Sequence, residues 1–186
     1  YAMLLFLLSA GLTVVFGMLG IMNVAHGSFF MIGAYLAYTW TNSIGNFWTA
    51  LLVVPCAVGF LGMLVERFAL RRVHNQGHSQ ELLLTLGLTY VVLELVKVIW
   101  GTSPLPYDAP SSLDGSVLLL KLQFPTYRLF IVVFGLVVLG ALGYLAFRTR
   151  IGMIIRAAVS DVEMVGALGF NVKHLFISVF GGGAFL

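Results

Sequence analysis

The sequence predicts an all-α fold: a polytopic transmembrane helical bundle with a broken or re-entrant segment and a short cytoplasmic helix. Three observations predict it. The chain of 186 residues is 60% hydrophobic and 9% charged, with a mean hydropathy of +1.03, whereas a soluble domain carries about 25% charged residues. The apolar residues fall into runs near the length of about 20 that a membrane helix needs. The stretch Gly17-Met-Leu-Gly-Ile-Met-Asn-Val-Ala-His-Gly27 sets Asn23 and His26 among glycines inside such runs. Polar groups are costly in a bilayer unless they face protein or a wet cavity, and glycine-interrupted spans with polar residues at the break are typical of solute pathways.

The expected spans are 2–22, 24–41, 47–65, 82–100, 129–147 and an incomplete 174–186. The second is short and contains His26, Gly27 and Gly33, so it is either a tightly packed full span or a re-entrant segment that starts at mid-depth. Tyr1 opens directly into an apolar run, and another is cut at Leu186, so the chain reads as a single membrane domain truncated at both ends. The first run lacks the basic start and small-residue cleavage site of a signal peptide. Glycines crowd the spans at Gly11, Gly17, Gly20, Gly59, Gly62, Gly135, Gly140, Gly143 and Gly181 to Gly183. Small residues let helices approach closely in lipid, so a compact bundle is expected.

Orientation follows from the basic residues. Segments 66–80 and 148–173 hold Arg67, Arg71, Arg72, Arg148, Arg150, Arg156 and Lys173, seven of the ten Lys and Arg residues. The positive-inside rule places both in the cytoplasm. The connection 101–128 then lies outside, with Asp108, Asp114, Lys121 and Arg128. Trp40, Trp48 and Trp100 all fall at outer ends of spans, as an interfacial aromatic belt would. Pro104, Pro106, Pro110 and Pro125 exclude a long helix from the outer connection, and 117–124, after Asp114-Gly115, suits a short hairpin strand. That connection is either a surface for a partner or a stiff link.

Ser79, ahead of Glu81 and an apolar run, is the expected N-cap of the fourth span. In the cytoplasmic segment 148–173, Ser160-Asp-Val-Glu163 fits a capping box, and Gly169 is placed for a left-handed helix stop. They bracket a helix of two turns from Asp161 to Leu168. Val162, Val165 and Leu168 share one face, with Met164 beside it. So short a helix has little stability in water and must pack on something, its own bundle or a soluble partner.

Gly17-x-x-Gly20-x-x-Asn23-x-Ala25-His26-Gly27, followed by Gly33-Ala34-Tyr35, resembles the N-terminal signature of permease subunits of branched-chain amino acid ABC importers. Glu66-Arg67 matches a second feature of that family. Arg156-Ala157-x-x-x-Asp161-x-x-Met164 through Leu168-Gly169-x-Asn171 resembles its cytoplasmic coupling segment. The resemblance covers essentially all 186 residues in order. It implies a transport subunit, not an enzyme, of the bacterial plasma (inner) membrane. Its partners would be a second permease, identical or homologous, cytoplasmic ATPase subunits and an extracytoplasmic solute-binding protein, all within membrane lipid. The ATPase, not this chain, would use ATP and Mg; no G-x-x-x-x-G-K-[ST] loop occurs here. Arg156, Asp161, Val162, Glu163, Val165, Leu168 and Gly169 would make the coupling contact. Val165 departs from the alanine common there.

Other readings of the residues stay open. Asn23, His26 and Gly27 either line the translocation path or tie helices together. Glu94 and Lys97, at i, i+3 in the fourth span, either form a simple ion pair or serve an ion-coupled secondary transporter of small polar solutes, the alternative function class. His74 and His78 read as solvated, and His174 as interfacial. The lone Cys56 sits in an apolar run and is expected to be a buried packing residue; one cysteine excludes an internal disulfide. A net charge of +3 from loop arginines gives no support for nucleic-acid binding. No cluster of residues suggests catalysis or a resident metal.

The orientation is testable. Cysteines introduced at Gln76 and Ser160 should be labelled only from the cytoplasmic side, and one at Ser112 only from outside. Labelling at Ser160 by an impermeant reagent added to intact cells would overturn the assignment.

Overall fold

The computed structural model describes residues 2–19, 23–73, 77–103, 105–106, 110–119 and 122–186. Gly20, Met22, His74, Gln76, Pro104, Asp108 and Lys121, to which the sequence analysis assigned roles, lie outside the described residues. The helices are α1 (Ala2–Leu19), α2 (His26–Ile44), α3 (Phe47–Val65), α4 (Arg71–Val73), α5 (His78–Trp100), α6 (Thr126–Arg148), α7 (Arg150–Ser160), α8 (Val162–Ala167) and α9 (Val172–Phe185). Among the described residues, 47–73, 79–100 and 126–148 are long and apolar enough to cross a membrane.

Local chemistry sets most boundaries. Gly45 adopts φ 72°, and its N–H closes α2 on Thr41 O. Asn46 then caps α3, its Oδ1 accepting from Trp48 N at 3.0 Å and Thr49 N at 3.4 Å. The α2–α3 turn is therefore tight, and its two halves use the residues that αL and N-cap positions favour. Trp40 Nε1 donates to Thr49 Oγ1 (3.0 Å), and Trp100 Nε1 donates to Thr39 Oγ1 (2.8 Å), so the three tryptophan-bearing helix ends meet at one end of the bundle. The hairpin is present as two antiparallel strands, β1 (Ser116–Leu119) and β2 (Leu122–Pro125), with Ser116 opposite Pro125.

Several expectations are corrected. The helix of α3 does not stop at Val65; it runs on through a π-helical turn, Glu66–Leu70, into α4. Ser79 is not the cap of α5, which starts at His78 after Gly77 at φ 110°. Ser160 ends α7, an additional helix, and its Oγ donates back to Arg156 O. Asp161 is extended and caps α8 instead, Oδ1 accepting from Met164 N at 2.9 Å. Asp caps as well as Ser and adds charge at the positive helix end, so the cap lies one residue further on. Cys56 is exposed on the chain surface rather than buried. Gly169 does take a left-handed backbone, φ 88°, where α8 ends.

The core lies where α9 passes between α1 and α3, with Val15, Phe29, Val54, Val58, Leu70 and Phe180 among its buried residues. Phe29 and Phe180 meet edge to face at 6.0 Å. The approach is close because glycines face each other. A Cβ added at Gly11 would lie 2.9 Å from Gly183 O, and one at Gly59 3.1 Å from Gly181 O. At Gly62 it would meet Ala184 Cβ at 2.6 Å. At Gly140, by contrast, an added Cβ meets nothing within 4 Å.

Overpacking typically costs about 1–3 kcal/mol. Gly183→Val, whose side chain would run into Val15, should thus lower the thermal unfolding midpoint of the detergent-solubilised protein, while Gly140→Ala should not. Equal midpoints for the two variants would contradict this packing.

Candidate functional site

Two regions bring the sequence-predicted residues together. The first surrounds the start of α2. Asn23 and His26 are both buried, at 3% and 6% exposure. Asn23 stands ahead of the helix, and its carbonyl accepts from His26 N at 3.2 Å. His26 Nε2 lies 3.1 Å from Leu8 O. A carbonyl only accepts, so Nε2 carries the proton and Nδ1 of the neutral ring is an acceptor. Leu8 lies eleven residues before the end of α1, so α2 begins beside the middle of that helix. Gly11 makes room for the ring: a Cβ there would lie 2.8 Å from His26 Cε1 and Nε2.

His26 therefore joins α1 to α2. It also lines a cavity of about 330 Å³ with Phe30, Gly33, Leu51, Pro55 and Val58. Asn23 Oδ1 and His26 Nδ1 have no hydrogen-bond partner among the described residues. Such atoms cost about 1–3 kcal/mol each when buried and call for an explanation beyond packing. Pro55 sits inside α3 without an N–H, so Leu51 O lacks its usual intrahelical donor on the wall of this cavity. Gly27 is exposed, and an added Cβ there would touch nothing within 4 Å. A second cavity, of about 380 Å³, lies toward the tryptophan end and is lined by Tyr35, Tyr38, Leu105 and Tyr127. Ala34, Ala37 and Phe47 line both.

The second region is the corner after α6. Thr149 Oγ1 accepts from Gly152 N and turns the chain into α7. Gly152 is required there, because a Cβ would collide with Leu145 O and Ala146 O. Arg156 extends over the ring of Phe147, 5.5 Å from its centroid. On α8 the three-residue apolar face is divided. Val165 is buried at 3% exposure inside the chain, so it supports α8 instead of offering itself to a partner. Val162, Met164, Leu168 and Phe170 stay exposed, Leu168 at 65%. Asp161 and Glu163 are exposed beside them at the helix start.

Glu94 and Lys97 form an ion pair of 2.7 Å on the exposed face of α5, away from both regions. The acids that sequence reasoning undervalued are Glu66, in the π-helical turn, and Glu81, in the first turn of α5; both are buried, as is Thr85. A carboxyl directly beside an apolar run, after Val65 in one case and before Leu82 in the other, was the available signal. π-turns recur at functional sites.

These features define a helical membrane protein with two adjoining cavities and exposed apolar residues on and after α8. Residues 1–186 match the family of permease components of branched-chain amino acid transport systems, and the chain belongs to that family. It is 26% identical over 201 residues to the high-affinity branched-chain amino acid transport system permease protein BraD of Pseudomonas aeruginosa, covering 97% of this chain and 62% of that protein. It is 26% identical over 192 residues to LivH of Escherichia coli K12 (96% and 62%), a permease protein of the same description. Identity is 27% over 189 residues to a probable branched-chain amino acid transport permease protein LivH of Methanocaldococcus jannaschii (98% and 60%). The chain thus spans about three fifths of the length of the relatives it matches. No solved structure matches. Family membership and the apolar helices make it a multi-pass membrane protein of a transport-permease family.

A double-mutant cycle tests the α1–α2 joint. Gly11→Ala and His26→Ala should each destabilise, and His26→Ala should relieve part of the Gly11→Ala defect, with a coupling of about 0.5–3 kcal/mol in unfolding of the purified protein. Additive effects would separate Gly11 from the histidine.

Proposed function

We propose that this chain is the transmembrane permease of an ATP-driven importer for branched-chain or related amino acids. The observation that carries the reading is the family match along residues 1–186. Separate cytoplasmic ATPase subunits bind and hydrolyse ATP with Mg. An identical or homologous permease completes the membrane unit, and an extracytoplasmic solute-binding protein delivers the solute. The orientation is that of the basic residues, with α4, α7 and α8 cytoplasmic and the hairpin outside. Residues 1–186 act as one permease domain, within which α2 enters at mid-depth, as its start beside Leu8 supports.

Solute passes along the face of α2 and α3, where the two cavities lie. Asn23 and His26 serve both roles weighed for them: His26 Nε2 holds α1, while Nδ1 and Asn23 Oδ1 face the passage as acceptors. Residues 148–173 couple to the ATPase. Val162, Met164, Leu168 and Phe170 insert into an ATPase groove, with Asp161 and Glu163 at its rim and Arg156 behind. Val165 and Gly169 hold the helix and its stop in place, so a push on α8 reaches α9 and, through the glycine contacts, α1 and α3. Nothing found supports the ion-coupled alternative, and the Glu94–Lys97 pair stands apart from the cavities.

Vesicles holding the complete complex should take up labelled leucine with ATP and not without it; uptake driven by a proton or sodium gradient alone would sink the reading. Burial of one leucine is worth about 1.5–3 kcal/mol. Leu168→Asp should therefore leave the permease inserted but release the ATPase on co-purification and abolish uptake. Val165→Asp should instead lower the yield of the permease itself.

A further inference from the structure

We propose that Phe47 is the barrier of the solute path, an aromatic plug between an outer chamber lined by tyrosines and an inner apolar chamber. The outer one, about 380 Å³, presents Tyr35, Tyr38 and Tyr127. The inner one, about 330 Å³, is lined by apolar side chains with His26 at its far end. Both lie within the range of small-molecule sites. The inner chamber follows α2 from Ala37 to His26, about 16 Å of helix at 1.5 Å per residue. The two chambers share three wall residues, Ala34, Ala37 and Phe47. Two of these are alanines, so only the phenyl ring has the bulk to separate the spaces.

The position suits a movable side chain. Phe47 is the first residue of α3, directly after the Gly45-Asn46 turn, and is half-buried. The turn is held by the backbone bond of Gly45 and the Asn46 cap, so the backbone is fixed while the side chain borders both chambers. Its resting rotamer is supported edge-on by Trp48 at 5.5 Å and by Phe130 of α6 at 6.2 Å. Such aromatic pairs are worth about 0.5–1.5 kcal/mol, enough to favour one rotamer and little enough to be exchanged for contact with a solute. α6 is the least buried long helix, so a shift of α6 that carries Phe130 would alter this support without rearranging the core.

The chemistry of the two walls assigns the solute's parts. Tyrosine hydroxyls in the outer chamber suit the charged head of a zwitterion. The inner wall suits a hydrocarbon side chain. An aliphatic amino acid is thus received with its head at the outer tyrosines, and its side chain enters the inner chamber as the Phe47 ring swings aside. This assignment rests on the import reading above; the barrier itself does not.

The test separates the two. In the complete complex with Cys56→Ala, a cysteine replaces Leu51, which lines the inner chamber only, or Tyr38, which lines the outer one only. A charged, impermeant thiol reagent is added from outside. Phe47→Ala should speed labelling at Leu51→Cys about tenfold, a barrier lowered by about 1.4 kcal/mol. Phe47→Trp should slow it. Labelling at Tyr38→Cys should be the same in every background. Should Phe47→Ala fail to assemble, Phe47→Leu and Phe47→Trp give the same comparison. Unchanged labelling at Leu51→Cys in all assembled Phe47 variants would overturn the barrier, whatever the uptake result. Absence of ATP-driven leucine uptake by the complex with Phe47 intact would fail the import reading alone, since labelling decides the barrier without it.

Discussion

Close approach of α9 to α1 and α3 is the constraint on which the other features depend. Carbonyls of Gly181 and Gly183 stand where side chains at Gly59 and Gly11 would otherwise be. In lipid there is little hydrophobic drive between helices, so association rests on contact area and on short polar or Cα–H···O contacts. Backbones that touch maximise both. The result is a three-helix wedge with Val15, Val58 and Phe180 filling the spaces left by the glycines.

The buried polar residues at the start of α2 depend on that wedge. Gly11 serves two neighbours at once, Gly183 O on one side and the His26 ring on another. Because α1 has no side chain there, His26 can reach Leu8 O and α2 can begin beside the middle of α1. The start of α2 is therefore held by one bond from a side chain buried among apolar residues, where hydrogen bonds are strong and unpaired atoms costly. The same wedge links the α7–α8 corner to the long helices. Val165 packs inward, α8 leads through the Gly169 turn and the Asn171 cap into α9, and α9 ends against the inner cavity at Phe185. α8 thus has a short, packed route to that cavity.

The tryptophan end is organised differently. Aromatic side chains replace glycines: Trp40, Trp48, Trp100, Tyr35 and Phe130 meet through ring contacts and indole hydrogen bonds. Such contacts tolerate sliding and tilting better than backbone contact does.

Composition and residue spacing by themselves determined the helical class, the start of α3 at Phe47, the hairpin after Gly115 and the stop at Gly169. These follow from local chemistry: apolar run length, turn residues, and a backbone that only glycine adopts easily. The resemblance of the Gly17–Gly27 and Arg156–Asn171 stretches to a permease family was also legible, and the family match bears it out. What only the tertiary structure decided is which surfaces meet. Gly11 and Gly140 look alike in sequence, yet one faces a backbone and the other open space. Val165 and Leu168 belong to one apolar stripe, yet one is buried and the other exposed. Asp161 displaced Ser160 as a cap because α7, a helix not expected from the sequence, runs through Ser160. Each outcome turns on where a second helix lies, and the periodicity of one helix carries no information about the crossing angle or depth of its neighbour.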